Sequence, residues 1–176
     1  MPHHNAAMDT RWKPHVTVAA IIEKQGRYLL IEEHTPEGLR LNNPAGHLDE
    51  GESPAGGCVR ETLEETAHPF TPTALLGIYV SRFQRLATGE DITYIRIAFC
   101  GDVGEPLAHL SLDTGIVRTL WMTPEEVRAS SARHRSPLVL QCMEDHLAGQ
   151  RFALHTICTD ASVVNGPQAK RAPASS

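Results

Sequence analysis

Residues 46–65 read GHLDEGESPAGGCVRETLEE. In its second half Ser53 is a favoured helix N-cap and Pro54 suits the first helical position. His68-Pro69 closes the segment, so a helix is predicted from Pro54 to about Thr66. On that helix Glu61, Glu64 and Glu65 stand at i, i+3 and i+4. This puts three carboxylates on one face, with neighbouring Cβ atoms about 5–6 Å apart. Two such charges repel by about 3 kcal/mol at 6 Å and an effective dielectric of 20. Arg60 alone does not neutralise three; a hard divalent cation does. Oxygen donors with no Cys nearby favour Mg²⁺ or Mn²⁺ over Zn²⁺. Taken alone, the helix also reads as an ordinary solvated acidic face. The turn-rich lead-in, Pro44-Ala45-Gly46 through Glu52, tips the balance. Loop and helix together converge carboxylates as metal-assisted chemistry on phosphates requires. Gly56-Gly57 inside the helix costs about 1 kcal/mol per residue against Ala, which implies close backbone packing or a local irregularity.

The rest of the chain is built around this segment. HVTVAAIIEK (15–24) and GRYLLIEEH (26–34) read as strands joined by a hairpin at Gln25-Gly26. TPEG (35–38) is a loop, and 39–53 reads mostly as turn. TALLGIYVSRF (73–83), ITYIRIAFCGDV (92–103) and VRTLWM (117–122) read as further strands. Thr123-Pro124-Glu125-Glu126 carries the capping-box pattern of a short helix. Pro137 starts another helix, closed by Gly149. Strands mixed with helices, without regular βαβ alternation, predict an α+β or mixed-sheet sandwich. The domain spans 12–157, with a flexible tail over 1–11 and a disordered Pro/Ala/Ser-rich tail over 158–176.

Composition narrows the function. The 176 residues suit one domain. The net charge of −5 excludes a general attraction to nucleic acid or anionic membrane. Phe, Trp and Tyr are only 5% of residues, which argues against a base-stacking platform for polynucleotides. No apolar run is long enough for a membrane span, and the N-terminus has no signal-like core. Cys58, Cys100, Cys142 and Cys158 show no CxxC pairing and read as buried hydrophobes in a reducing, cytoplasmic protein. The charge itself is local. Asp49, Glu50, Glu52, Glu61, Glu64 and Glu65 against Arg60 account for the whole imbalance.

The spacing of Gly46, Glu52, Arg60, Glu61, Glu64 and Glu65 resembles the signature box of the Nudix hydrolase family. Thr62, Ala67 and His68 depart from it, where the family carries an aliphatic, a glycine and an aliphatic. The segments 12–19, 43–48, 135–139 and 149–151 look like the NudJ-type phosphatases of that family. The resemblance covers roughly 11–155. It implies a Nudix-like α/β/α sandwich with a mixed central sheet. It also implies hydrolysis of nucleoside tri- or diphosphates, or of a related small diphosphate such as hydroxymethylpyrimidine diphosphate, with release of orthophosphate. A MutT-like activity releasing pyrophosphate and a non-catalytic nucleotide-binding module are the rival readings.

By resemblance, Glu61 and Glu65 hold Mg²⁺ (or Mn²⁺), with the Gly46 carbonyl as a further candidate ligand. Glu64 is another ligand or orients a water. Glu52 acts as a general base or as the partner that fixes Arg60, and Arg60 positions a glutamate. His47, Arg27 and Asp113 are the candidates for contacting substrate or completing the site. Trp12, His15, Tyr79 and Arg96 are further residues considered for its non-phosphate end, and Trp121 reads as core. The partner is a small phosphorylated molecule, and the assembly is a monomer or a homodimer.

Overall fold

The computed structural model describes residues 11–85 and 88–166. Of the tails expected at 1–11 and 158–176, residues 1–10 and 167–176 lie outside the described residues. Among the described residues eight strands fall into two sheets: β1 (His15–Ile21), β2 (Glu23–Lys24), β3 (Arg27–Thr35), β4 (Gly38–Asn42), β5 (Ala45–His47), β6 (Phe70–Gln84), β7 (Asp91–Val103) and β8 (Ile116–Met122). The first sheet runs β5-β1-β7-β6 and is mixed: β1 and β7 are parallel, the other pairs antiparallel. The second is antiparallel, with order β2-β3-β4 and β8 on the other side of β3. The helices are α1 (Pro54–Thr66), α2 (Pro124–Ala129), α3 (Leu138–Leu147) and the short α4 (Ala161–Asn165). The mixed sheet flanked by helices matches the expected architecture.

Alternation along β1 splits the core in two. Ala19 and Ile21 join Tyr28 and Leu30 of β3, Val127 of α2, and Val139, Cys142 and Met143 of α3. Val18, Ala20 and Ile22 face the other way, to Leu29, Cys58 of α1, Phe70, Leu75 and Phe99. Side chains two apart on a strand share a face, so one strand serves both layers. α1 lies on the second of these faces.

Four local expectations need correction. The stretch 39–53, read as turn, contains β4 and β5. These strands are too short to show a period and exist because β3 and β1 offer them a ladder. β6 starts at Phe70, three residues before the predicted strand, because Phe70 is buried and pairs with Val103. Residues 161–165, assigned to the disordered tail, form a helical turn capped by Asp160, whose side chain accepts from the Ser162 amide. Cys58, Cys100 and Cys142 are buried as expected, but Cys158 is exposed.

Candidate active site

The Ser53 hydroxyl accepts the Gly56 amide at 3.1 Å and starts α1. At the other end Ala67 adopts the left-handed conformation, φ 58°, and its N–H donates to Leu63 O. The three departures from the box are each absorbed. Thr62 is fully buried, and its hydroxyl is satisfied by Cys58 O at 2.7 Å. His68 is buried, with Nδ1 donating to Gly104 O at 2.8 Å and its ring edge-on to Trp121. Ala67 accepts a backbone geometry that glycine adopts freely.

Arg60 binds the site together. Its Nε and Nη2 grip both oxygens of Glu52 at 3.0 and 2.7 Å. Nη2 also reaches the His47 carbonyl at 3.1 Å, and Nη1 donates to Glu61 at 2.8 Å and Glu64 at 3.0 Å. The fork on Glu52, helped by the Asp49 amide, holds that carboxyl below its usual range. Gly57 explains itself here: a Cβ on it would stand 2.5 Å from Glu52 Oε1. At Gly46 a Cβ would likewise meet the Glu61 carboxylate and push it out of its place beside Arg60.

Glu65 behaves differently. It is buried, and Oε2 accepts the Ala45 amide at 2.8 Å. Burial pushes its carboxyl up to about 8, and the strongest charges acting on it, from Glu61, Glu33 and Asp113, are all negative. Burial also raises Glu61, although Arg60 opposes this. Such a set fits a hard divalent cation: oxygen donors only, a buried carboxylate with excess negative charge around it, and a glycine that lets backbone approach. Among the described residues no three acidic, His or Cys side chains form a ready-made cage; Arg60 holds Glu61 and Glu64.

Of the remaining candidates, His47 lies on β5 directly after Gly46. Asp113 donates its backbone N–H to Glu64 O at 3.0 Å and stands at the end of α1 beside Glu65. Arg27 is not brought to the site. It sits six residues from Glu33 along β3, a run of about 20 Å, where it bonds Trp121 O and pairs with Glu126. Sequence periodicity shows that Arg27 is on a strand but not which end of that strand meets the glutamates. Trp12 is exposed, Trp121 packs on the α1-side core, and Tyr79 donates to Asp145. Arg96 is buried, donating to Asn43 and Asn42 side-chain oxygens at 3.2 and 3.3 Å. Glu33 and Tyr94 were not anticipated. Glu33 acts on Glu65, and Tyr94 lies 5.9 Å from the His47 ring; one strand read alone carries no such signal.

Two layers of helix on a mixed sheet, with a glycine loop and a glutamate-rich helix at its edge, define a Nudix fold. Residues 12–142 match the NUDIX domain family, and the chain belongs to that family. It is 30% identical to Phosphatase NudJ of Escherichia coli K12, covering 83% of this chain and 92% of that protein. A solved NUDIX hydrolase from Nitrosomonas europaea is 48% identical, with a TM-score of 0.76, over 84% of this chain and 98% of that one. A MutT NUDIX hydrolase from Burkholderia pseudomallei has the same fold at 20% identity and a TM-score of 0.62, over 76% of this chain and 98% of that one. The chain is thus a Nudix hydrolase acting on phosphoanhydride bonds, of a family that generally uses divalent metal. No helix among the described residues is long and apolar enough to cross a membrane.

Proposed function

We propose that the protein is a Mg²⁺-dependent phosphatase of nucleoside tri- and diphosphates, or of a related small diphosphate such as hydroxymethylpyrimidine diphosphate, releasing orthophosphate. The observation that carries the reading is Glu65, a buried carboxylate one helical turn from Glu61, with like charges around it. The likeness to Phosphatase NudJ over most of the chain supports the choice of phosphatase.

In this reading Glu61, Glu65 and Glu64, with the Gly46 carbonyl, hold the ion. When bound it neutralises phosphate charge and makes water a stronger nucleophile at neutral pH. The chain's own residues do the positioning. Glu52 serves as the partner of Arg60, and Arg60 keeps Glu61 and Glu64 in place. Glu64, the most exposed of the three, turns toward the incoming water. Asp113 stands beside Glu65 at the phosphate end, and His47, next along β5 from Gly46, projects from the opposite face of the sheet. Water oxygen bonds to the terminal phosphorus, the bridging P–O bond breaks, and a site carboxylate takes the proton.

Product analysis tests this. With Mg²⁺, a nucleoside triphosphate should yield orthophosphate, and Glu65→Gln should abolish its release. Predominant pyrophosphate would favour the MutT-like reaction instead. Nucleotide binding with equally little release from wild type and Glu65→Gln would leave only a binding module.

A further inference from the structure

The chain passes from the second sheet to the first over two residues. Asn42 ends β4, Ala45 begins β5, and Asn43 and Pro44 lie between them. At the end of this crossing the Ala45 amide donates to Glu65 Oε2, and Gly46 follows it against the Glu61 carboxylate. The crossing therefore sets where backbone meets the two glutamates. Arg96 of β7 grips it from the first sheet. Its Nη1 donates to Asn43 Oδ1 at 3.2 Å and its Nη2 to Asn42 Oδ1 at 3.3 Å. Asn42 passes the contact on, with Nδ2 donating to Glu33 Oε1 at 3.2 Å.

Packing alone does not ask for an arginine here. Register puts Arg96 in a row with Thr17 and Tyr79, and the next row on that face holds Ala45, Ala19 and Ala98. Arg96 is 7% exposed. Its guanidinium meets two carboxamide oxygens and the Cys142 sulfur, and among the described residues no carboxylate pairs with it. A buried cation held by neutral acceptors is destabilising, and a well-packed apolar side chain of similar volume often serves a fold as well or better. Burial disfavours its charged form, and Glu33 and Glu65 act against that from further away. What arginine offers is a planar fork that holds two acceptors at once. Here the fork spans the last residue of β4 and the first of the crossing. Buried as it is, Arg96 acts through the residues it holds.

We propose that Arg96 is a positioning residue for the hydrolytic site: by gripping Asn42 and Asn43 it fixes the crossing between the sheets, and with it the Ala45 amide on Glu65 and the Gly46 backbone beside Glu61. It touches neither the substrate nor the reacting atoms. Arg60 orients the more exposed glutamates, and Arg96 orients the backbone behind the buried one. The proposal rests on the reading of Glu61 and Glu65 as holders of a divalent ion.

Arg96→Met, Arg96→Lys and Asn43→Ala test it. Two quantities are measured where circular dichroism shows each variant folded: CTP turnover with Mg²⁺, and Mn²⁺ binding without substrate by electron paramagnetic resonance. Arg96→Met should lower kcat and weaken Mn²⁺ binding, each roughly ten- to hundredfold, with the KM for CTP little changed. Arg96→Lys, which keeps the cation and can keep one contact, should recover part of both. Asn43→Ala should shift both in the same direction by less, and it reports even if the Arg96 variants misfold; no shift in it would overturn the proposal. Mn²⁺ binding to Arg96→Met as tight as to wild type, or tighter, would also overturn it, because loss of a cation that only repels the ion gives that sign. So would a higher KM at unchanged kcat, which marks a substrate contact, or a lower Tm with kcat and Mn²⁺ affinity unchanged, which marks a fold-stabilising residue. Mn²⁺ binding that depends on Arg96, without CTP cleavage by wild type, would sustain the positioning role while the phosphatase reading fails. Mn²⁺ binding that Glu65→Gln leaves unchanged would overturn both.

Discussion

Glu32 and Glu65 are both buried carboxylates, and their surroundings are opposite. Glu32, on β3, accepts from Arg118 Nε at 2.7 Å and from Arg133 Nη2. Those two hydrogen bonds outweigh burial and hold its carboxyl below the usual range. Glu65, on α1, receives one backbone N–H; burial first, and then three like charges, outweigh that bond and the Arg96 guanidinium within reach, and its carboxyl rises to about 8. The first is a finished ion-pair network that ties β3 to β8 and to the turn before α3. The second is an electrostatic deficit that the Ala45 amide and Arg96 relieve only in part. A buried charge whose partners are all present reads as architecture, whereas one left among its own kind reads as a site.

Breaking the two in turn separates these roles. Glu65→Gln should lower turnover by at least about a hundredfold, yet leave Tm level or raise it, because folding wild type at neutral pH must protonate this carboxyl or bury its charge, and an amide needs neither. Phosphate-release assays and thermal melts check both halves. Glu32→Gln should do the reverse, costing about 2 kcal/mol through weakened charged hydrogen bonds with turnover near wild type. Adding Mg²⁺ should sharpen the contrast. At a hundred times its dissociation constant it should stabilise wild type by about 2.7 kcal/mol, and it should stabilise Glu65→Gln far less. Acid should act on the other partner. The folded-state pKa of Glu32 is depressed, so its stabilisation is complete above its unfolded value, near 4.3. It is lost as pH falls through the folded value. The denaturation gap between wild type and Glu32→Gln should therefore close below about pH 4. The smallest effect expected is at the end of α1: Ala67→Gly should stabilise by about 0.5 kcal/mol, because the left-handed backbone there strains an L-residue.

Glu65 was legible in the sequence and its environment was not. Helix spacing placed it on one face with Glu61 and Glu64, and the caps at Ser53 and Pro54 predicted where α1 begins. The hairpin at Gln25-Gly26 and the box at Thr123 were equally plain, because each is written in adjacent residues. β4 and β5 were missed because three to five residues hold their shape only while β3 and β1 pair with them. Arg27 was named as a substrate candidate for a similar reason, since alternation gives a face and says nothing of distance along the strand. Tyr94 joined His15 and His47 only through register across three strands.

The grip of Arg60 on Glu52 and the His47 carbonyl has one more consequence. It is a non-covalent staple across the loop between β5 and α1, joining residues eight and thirteen apart in the chain. A loop closed in this way has already surrendered most of its conformational entropy before any ligand arrives. Binding a metal and a phosphate then demands little further ordering of the segment between β5 and α1, and β5 and the glutamates move as one piece.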